Sequence, residues 1–174
     1  MVREILIWPD PRLKEKALPV TAVDDDVRQL IDDMFETMYA AEGIGLAATQ
    51  IGVQKRVVVV DTSSGDEEVK PFAMVNPEIL ETEGTMKYRE GCLSIPGEAE
   101  EVKRAARVKV RFLDREGKQV EMEATGLTAV CIQHECDHLE GVLFVDHLSS
   151  LKRELIKKRM KRLKAEKAGA AAHA

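Results

Sequence analysis

The sequence predicts an α+β fold: short, mostly antiparallel β-sheets packed around a central metal-binding helix, with an N-terminal helix and a C-terminal basic helix. Three observations predict it. Apolar residues recur at helical spacing in two stretches, 26–41 and 127–140. Between and beside them lie short runs rich in Val, Ile and Phe, bounded by turn residues. A last stretch, 151–174, is dense in Lys and Arg.

Each element has its own reason. Trp8-Pro9-Asp10-Pro11 makes the entry irregular, because proline lacks the amide that regular structure needs. The first helix should start near Asp24-Asp25-Asp26, where carboxylates suit a helix N-terminus. Leu30, Ile31, Met34, Phe35 and Met38 then mark its core face. Strands are expected at 57–60, 72–75, 108–113 and 120–124. Ser63-Ser64-Gly65-Asp66 and Asp114-Arg115-Glu116-Gly117 read as turns, the second closing a hairpin. There is no internal repeat and no interdomain linker. Residues 1–150 form one domain, followed by a basic helix and a disordered tail over 151–174.

The second helical stretch carries the most informative motif, Gln133-His134-Glu135-Cys136-Asp137-His138. It reads H-E-x-x-H. Residues i and i+4 share a helix face, so both imidazoles can reach one metal ion. Glu135 points about 100° away round the axis, outside the ligand set but able to take a proton from a metal-bound water. The rival reading is a helix that happens to hold two of the chain's 4 His. Thr128 is expected to cap this helix and Gly141 to end it.

Two ligands need a third. In the extended motif that supplies a third histidine from the same stretch, Phe144 stands at the last ligand position. Glu154 and Glu166 fall in the basic stretch and suit poorly. Cys136 lies about 200° from the histidines and faces away. Cys131 shares the face of His134, and Cys92 lies in the separate segment Glu90-Gly91-Cys92-Leu93-Ser94. Geometry leaves Cys92 and Cys131 competing, with Cys92 favoured as coming from another element. Cys and His ligands by themselves suit zinc.

Gly43-Ile44-Gly45-Leu46-Ala47-Ala48 imitates a dinucleotide-binding loop. That reading needs a strand before the loop and a helix after it. Here a helix precedes and a strand follows, which excludes it.

Three segments together resemble peptide deformylase in its common bacterial form: Gly43-Ile44-Gly45-Leu46-Ala47-Ala48-Thr49-Gln50, Glu90-Gly91-Cys92-Leu93-Ser94, and Gln133-His134-Glu135-Cys136-Asp137-His138. The resemblance covers about residues 5–163. It implies a metal-dependent hydrolase that removes the formyl group from the N-terminal formyl-methionine of newly synthesised polypeptides. Cys92, His134 and His138 would bind the metal, and Glu135 would be general base and then general acid. Gln50 and the backbone N–H of Leu93 would hold the developing oxyanion. Gly45 would offer a backbone contact, and the glycines would let the backbone lie against a peptide substrate. Ile44, Leu127, Val130 and Cys131 would form the methionine pocket. The implied cofactor is one divalent metal, Fe(2+), with Ni(2+), Co(2+) or Zn(2+) able to substitute. One departure stands out: the acidic run Gly97-Glu98-Ala99-Glu100-Glu101 lacks the arginine that related enzymes often carry near Ala99.

Composition bounds the rest. A chain of 174 residues with 44% hydrophobic content suits one domain, and 4% aromatics leaves the core to aliphatic side chains. No apolar run is long enough to span a membrane. The first residues lack a secretory h-region, and 3 Cys without framework spacing fit a reducing compartment. These point to a cytoplasmic protein, monomeric, and away from a secreted protease. Residues 151–174 hold nine Lys or Arg against two Glu; with the whole chain at −5, the first 150 residues carry −12. A basic helix on an acidic enzyme suits ribosomal RNA, and the resemblance makes the ribosome the natural partner. Two other readings keep the same motifs: an H-E-x-x-H metallopeptidase, and an RNA-binding module with a structural metal.

Overall fold

The computed structural model describes the backbone of residues 1–173 and the side chains of residues 1–170. Its helices are α1 (Asp25–Ala40), α2 (Gly126–Leu139) and α3 (Ser150–His173). Its strands are β1 (Gly45–Ala47), β2 (Val57–Val60), β3 (Phe72–Glu83), β4 (Met86–Cys92), β5 (Ile95–Arg104), β6 (Arg107–Leu113) and β7 (Gln119–Thr125). A five-stranded sheet has the order β1-β2-β3-β6-β7, and β4-β5 form a separate hairpin; every pairing is antiparallel. The α+β fold read from the sequence is the fold observed.

The all-valine strand β2 shows how the layers are built. Successive side chains of a strand point to opposite faces. Val57 and Val59 join Leu30, Ile31, Met34 and Met38 of α1 in one core. Val58 and Val60 join Ala129, Ile132 and Leu139 of α2 in another. One strand buried on both faces thus fixes both helices. A third core packs Trp8, Ile95, Val102 and Phe144 against Ile156 and Met160 of α3.

Local chemistry sets the ends of the helices. Asp24 caps α1, accepting from the N–H of Val27 at 3.0 Å, with Asp25 and Asp26 in the first turn. At the end of α2, Gly141 N–H donates to His138 C=O and Val142 N–H to Asp137 C=O, a Schellman closure. Gly141 has φ +75, and a Cβ there would strike the carbonyl of Lys14. The start of α2 differs from expectation. Strand β7 runs straight into it, so Thr125 holds the N-cap position. Thr128 lies inside the helix, buried, with its hydroxyl 2.7 Å from that of Thr62.

Other expectations are corrected as well. The strand expected at 72–75 continues as far as Glu83, through Asn76-Pro77, a pair that reads as a break. Asn76 adopts φ +52 and is held there by two 2.8 Å hydrogen bonds with the backbone of Val20. Strands β4 and β5 were not expected, because their charged sequences have no strong apolar alternation. On α3, leucine spacing in the sequence marks Leu148, Leu151 and Leu155 as the residues to dock its first turns on the body, yet Leu151 and Leu155 are 72% and 45% exposed. Leu148 does pack on the body, but Ile156 and Met160 bury the helix. A short 3-10 turn, Phe144–His147, precedes α3. The tail from Ala168, expected to be disordered, lies in α3 as far as His173; Ala174 lies outside the described residues.

Candidate metal centre

Helix α2 turns its first half-buried, then buried face toward the β4–β5 hairpin. His134 is 11% exposed at its side chain and His138 is fully buried. The hairpin loop is only two residues, Leu93 and Ser94, because Cys92 pairs with Ile95. That tight loop delivers Cys92 to the two histidines. Ligand atoms of Cys92, His134 and His138 all lie within 4.8 Å of one another, and Cys92 Sγ is 3.3 Å from His138 Nε2. The contest between the cysteines is therefore decided for Cys92. Cys131 instead points its Sγ at the carbonyl of Ile44, 3.6 Å away.

The donor set fits a divalent cation: one thiolate, two imidazoles and room for a fourth ligand. Orientation is provided by groups behind the ligands. Glu90 Oε1 lies 2.8 Å from His134 Nδ1, which leaves Nε2 to face the centre. Arg104 clamps Glu90 through Nε and Nη2 at 2.7 and 2.8 Å, and reaches Asp137 through Nη1 at 2.7 Å. His147 Nε2 closes the chain 3.0 Å from Asp137 Oδ2. Burial by itself would raise the Glu90 carboxyl, but Arg104 and His134 bring it down to about 2. Burial also acts against the charge on His134, yet Cys92 and Glu90 outweigh it and hold its proton tightly. Burial pushes His138 well below the ordinary imidazole range, which keeps it a neutral ligand.

Glu135 is buried between the imidazoles, with Oε1 3.9 Å from His134 Nε2 and 4.0 Å from His138 Nε2. Its Oε2 has no hydrogen-bond partner. Burial is the main reason its carboxyl is pushed up to about 7. Such a group changes charge near neutrality, as an acid–base residue must. Gln50 is fixed in orientation: its Oε1 accepts from Ala47 N–H at 2.9 Å. Its Nε2 donates to Ser94 Oγ at 3.1 Å and reaches Cys92 Sγ at 3.5 Å. Phe144 fills the place a third histidine would have taken and stacks on His134, with centroids 6.3 Å apart.

A cavity of about 710 Å³ opens onto these groups. Ile44, Gly45, Gln50, Cys92, Leu93, Leu127, Val130, Cys131, His134 and Glu135 all line it. Every cavity residue expected from the sequence is therefore present, and His138 lies just behind. At Gly45 a Cβ would come within 2.7 Å of Cys131 Sγ and 3.0 Å of Glu135. The absence of a side chain lets β1 lie against α2.

A sequence model of the polypeptide deformylase family matches residues 2–154. The chain belongs to the peptide deformylase family. It is 57% identical to the peptide deformylase of Alkalilimnicola ehrlichii over 93% of this chain and 90% of that protein. With the Phenylobacterium zucineum peptide deformylase the identity is 61%, over 92% and 96%. The crystal structure of a peptide deformylase from Legionella pneumophila superposes with a TM-score of 0.90 at 47% identity, covering 97% of this chain and 98% of that one. The deformylase reaction removes the N-formyl group of nascent polypeptides, and in this chain the metal site is Cys92, His134 and His138 with Glu135 beside it.

Glu90 and Asp137 lie within the sequence motifs without a role expected of them, and no role was expected of Arg104 or His147. Nothing local marks Arg104: it ends a charged strand, and only its burial beside Glu90 shows its function.

Proposed function

We propose that deformylation here runs through Glu135 as general base and then general acid. The observation that carries this is the unpartnered, buried Oε2 of Glu135 beside both imidazoles. A divalent cation held by Cys92, His134 and His138 would supply Lewis acidity at an attacking water and at the formyl oxygen. Glu135 takes the proton of that water as its oxygen adds to the formyl carbon. Glu135 then returns the proton to the amide nitrogen as the C–N bond breaks, releasing formate and a free methionyl amine. Negative charge on the formyl oxygen is met by the Gln50 amide and by the N–H of Leu93, which has no partner among the described residues. The Gly45 backbone aligns the substrate. Ile44, Leu127, Val130 and Cys131 take the methionine side chain, supported by their place in one largely apolar wall.

Iron(II) is the metal we infer, with nickel, cobalt or zinc able to substitute. The family resemblance supports it. The enzyme acts as a cytoplasmic monomer; no helix of the described chain is long and apolar enough to cross a membrane. The basic face of α3, with Lys157, Lys158, Lys161 and Arg162, supports contact with ribosomal RNA. The catalytic domain is 1–150 and the ribosome-facing element is 151–174.

Formate release from formyl-Met-Ala-Ser by anaerobically purified protein, measured with its metal content, tests this. Rapid release with one metal per chain is expected, and iron should dominate. Absence of release from folded, fully metallated protein would overturn the reading and favour a peptidase.

A further inference from the structure

A second groove, of about 620 Å³, shares Ala41, Leu93 and Pro96 as lining with the cavity of the metal centre. This groove lies between the N-terminal segment 2–7 and the far half of α3, with Leu163, Lys164 and Lys167 on its wall. A polypeptide whose formylated end occupies the cavity must leave it somewhere. The shared residues place the groove directly beside the substrate site, where the emerging chain can reach it.

Two features of the groove suit an extended chain. In the N-terminal segment, Leu6 N–H donates to Gln50 C=O at 2.7 Å and Trp8 N–H to Ser94 C=O at 2.9 Å. Alternate amides of an extended segment point to opposite sides. Those of Ile5 and Ile7 have no partner among the described residues, while their side chains are half-buried at the groove. A passing peptide can use such an edge by strand addition.

Charge supplies the preference. Arg3 is paired with Asp33, and Arg12 with Asp10. Lys164 and Lys167 are exposed and form no salt bridge among the described residues, against one acidic residue in the same condition, Glu4. The net surplus is positive.

We propose that this groove binds the part of the polypeptide substrate downstream of the residues held in the metal cavity. It does so in extended form and favours acidic over basic segments. The proposal rests on the deformylase reading and adds a downstream preference to it.

Free formyl peptides test it, without ribosomes. Formyl-Met-Ala-Ser is compared with peptides of about ten residues, long enough at ~3.3 Å per residue to pass out of the cavity. Their distal halves carry either glutamates or lysines. The acidic tail should raise kcat/KM over the basic tail by about three- to tenfold at low salt, through KM, as two exposed charge contacts can supply. High salt should shrink the ratio. In Lys164→Glu/Lys167→Glu the ratio should invert, while formyl-Met-Ala-Ser is turned over at the native rate. Equal kcat/KM for both tails, or a preference unchanged by the charge reversal, would overturn the groove assignment. Failure of the native enzyme on the tripeptide itself would overturn the deformylase reading, and this inference with it.

Discussion

Glu90 and His134 are 44 residues apart in sequence, yet the carboxylate of one holds the ring nitrogen of the other at 2.8 Å. The same carboxylate neutralises Arg104, which is itself buried. One residue thus aims a metal ligand and compensates an interior charge.

Glu90→Gln should therefore fail in two ways. Metal affinity should fall about 10- to 100-fold, the usual effect of losing a partner behind a ligand. Stability should drop by up to about 3–5 kcal/mol, because the buried charge of Arg104 loses Glu90 and keeps only the more exposed Asp137. The pH dependence has a definite sign. The folded carboxyl is depressed to about 2 from an ordinary 4.5. Its contribution is present above about 4.5 and is lost as the pH falls toward 2. Urea melts of native protein and variant should converge in that acid range. A constant difference down to pH 2 would contradict the ion-pair account.

Glu135→Gln should keep the metal and lose about 10²–10⁴-fold in kcat, the typical contribution of a general acid–base group. In native enzyme without bound cation, the folded carboxyl titrates near 7, above the ordinary 4.5. Folding then favours the neutral acid, so a destabilisation develops as pH rises from 4.5 to 7 and persists above. Chelated Glu135→Gln should accordingly melt higher than chelated native protein at pH 8, by up to about 3 kcal/mol. Metal analysis, a formate assay and thermal melts check all three statements.

Gly45→Ala places a methyl group against Cys131 Sγ and Glu135. Displacing the base by a fraction of an ångström should lower kcat/KM by about 100-fold. Cys131→Ala in the same chain should recover much of it, because it removes the nearest obstructing atom. Equal activity of Gly45→Ala and native enzyme would show that the close approach is immaterial.

Two alanine variants on α3 separate its faces. Ile156→Ala should cost about 2–5 kcal/mol, as a fully buried aliphatic side chain does. Leu151→Ala, at 72% exposure, should change stability by less than about 0.5 kcal/mol. Chemical denaturation distinguishes this from the opposite ranking that leucine periodicity alone suggests.

Gly141→Ala meets the backbone of Lys14 at φ +75. A loss of at least about 2 kcal/mol is expected, combining the left-handed backbone cost with the clash. A melt within error of native protein would show that the loop shifts freely.

The sequence by itself determined what depends on near neighbours. The i, i+4 spacing placed His134 and His138 on one face, and Glu135 followed from its position between them. The helix ends at Asp24 and Gly141, the strand at Val57–Val60 and the 114–117 turn are local in the same sense. The tertiary structure decided what depends on residues distant in sequence. Cys92 rather than Cys131 completes the ligands because a two-residue turn brings it to α2. Arg104 and His147 join the site only through folding, since no local pattern marks an arginine as buried. Strands β4 and β5 were illegible because their stability comes from cross-strand pairing rather than an apolar period. The face of α3 that docks is the one whose Ile156 and Met160 meet Trp8, Ile95, Val102 and Phe144, partners distant in sequence that local leucine spacing cannot report.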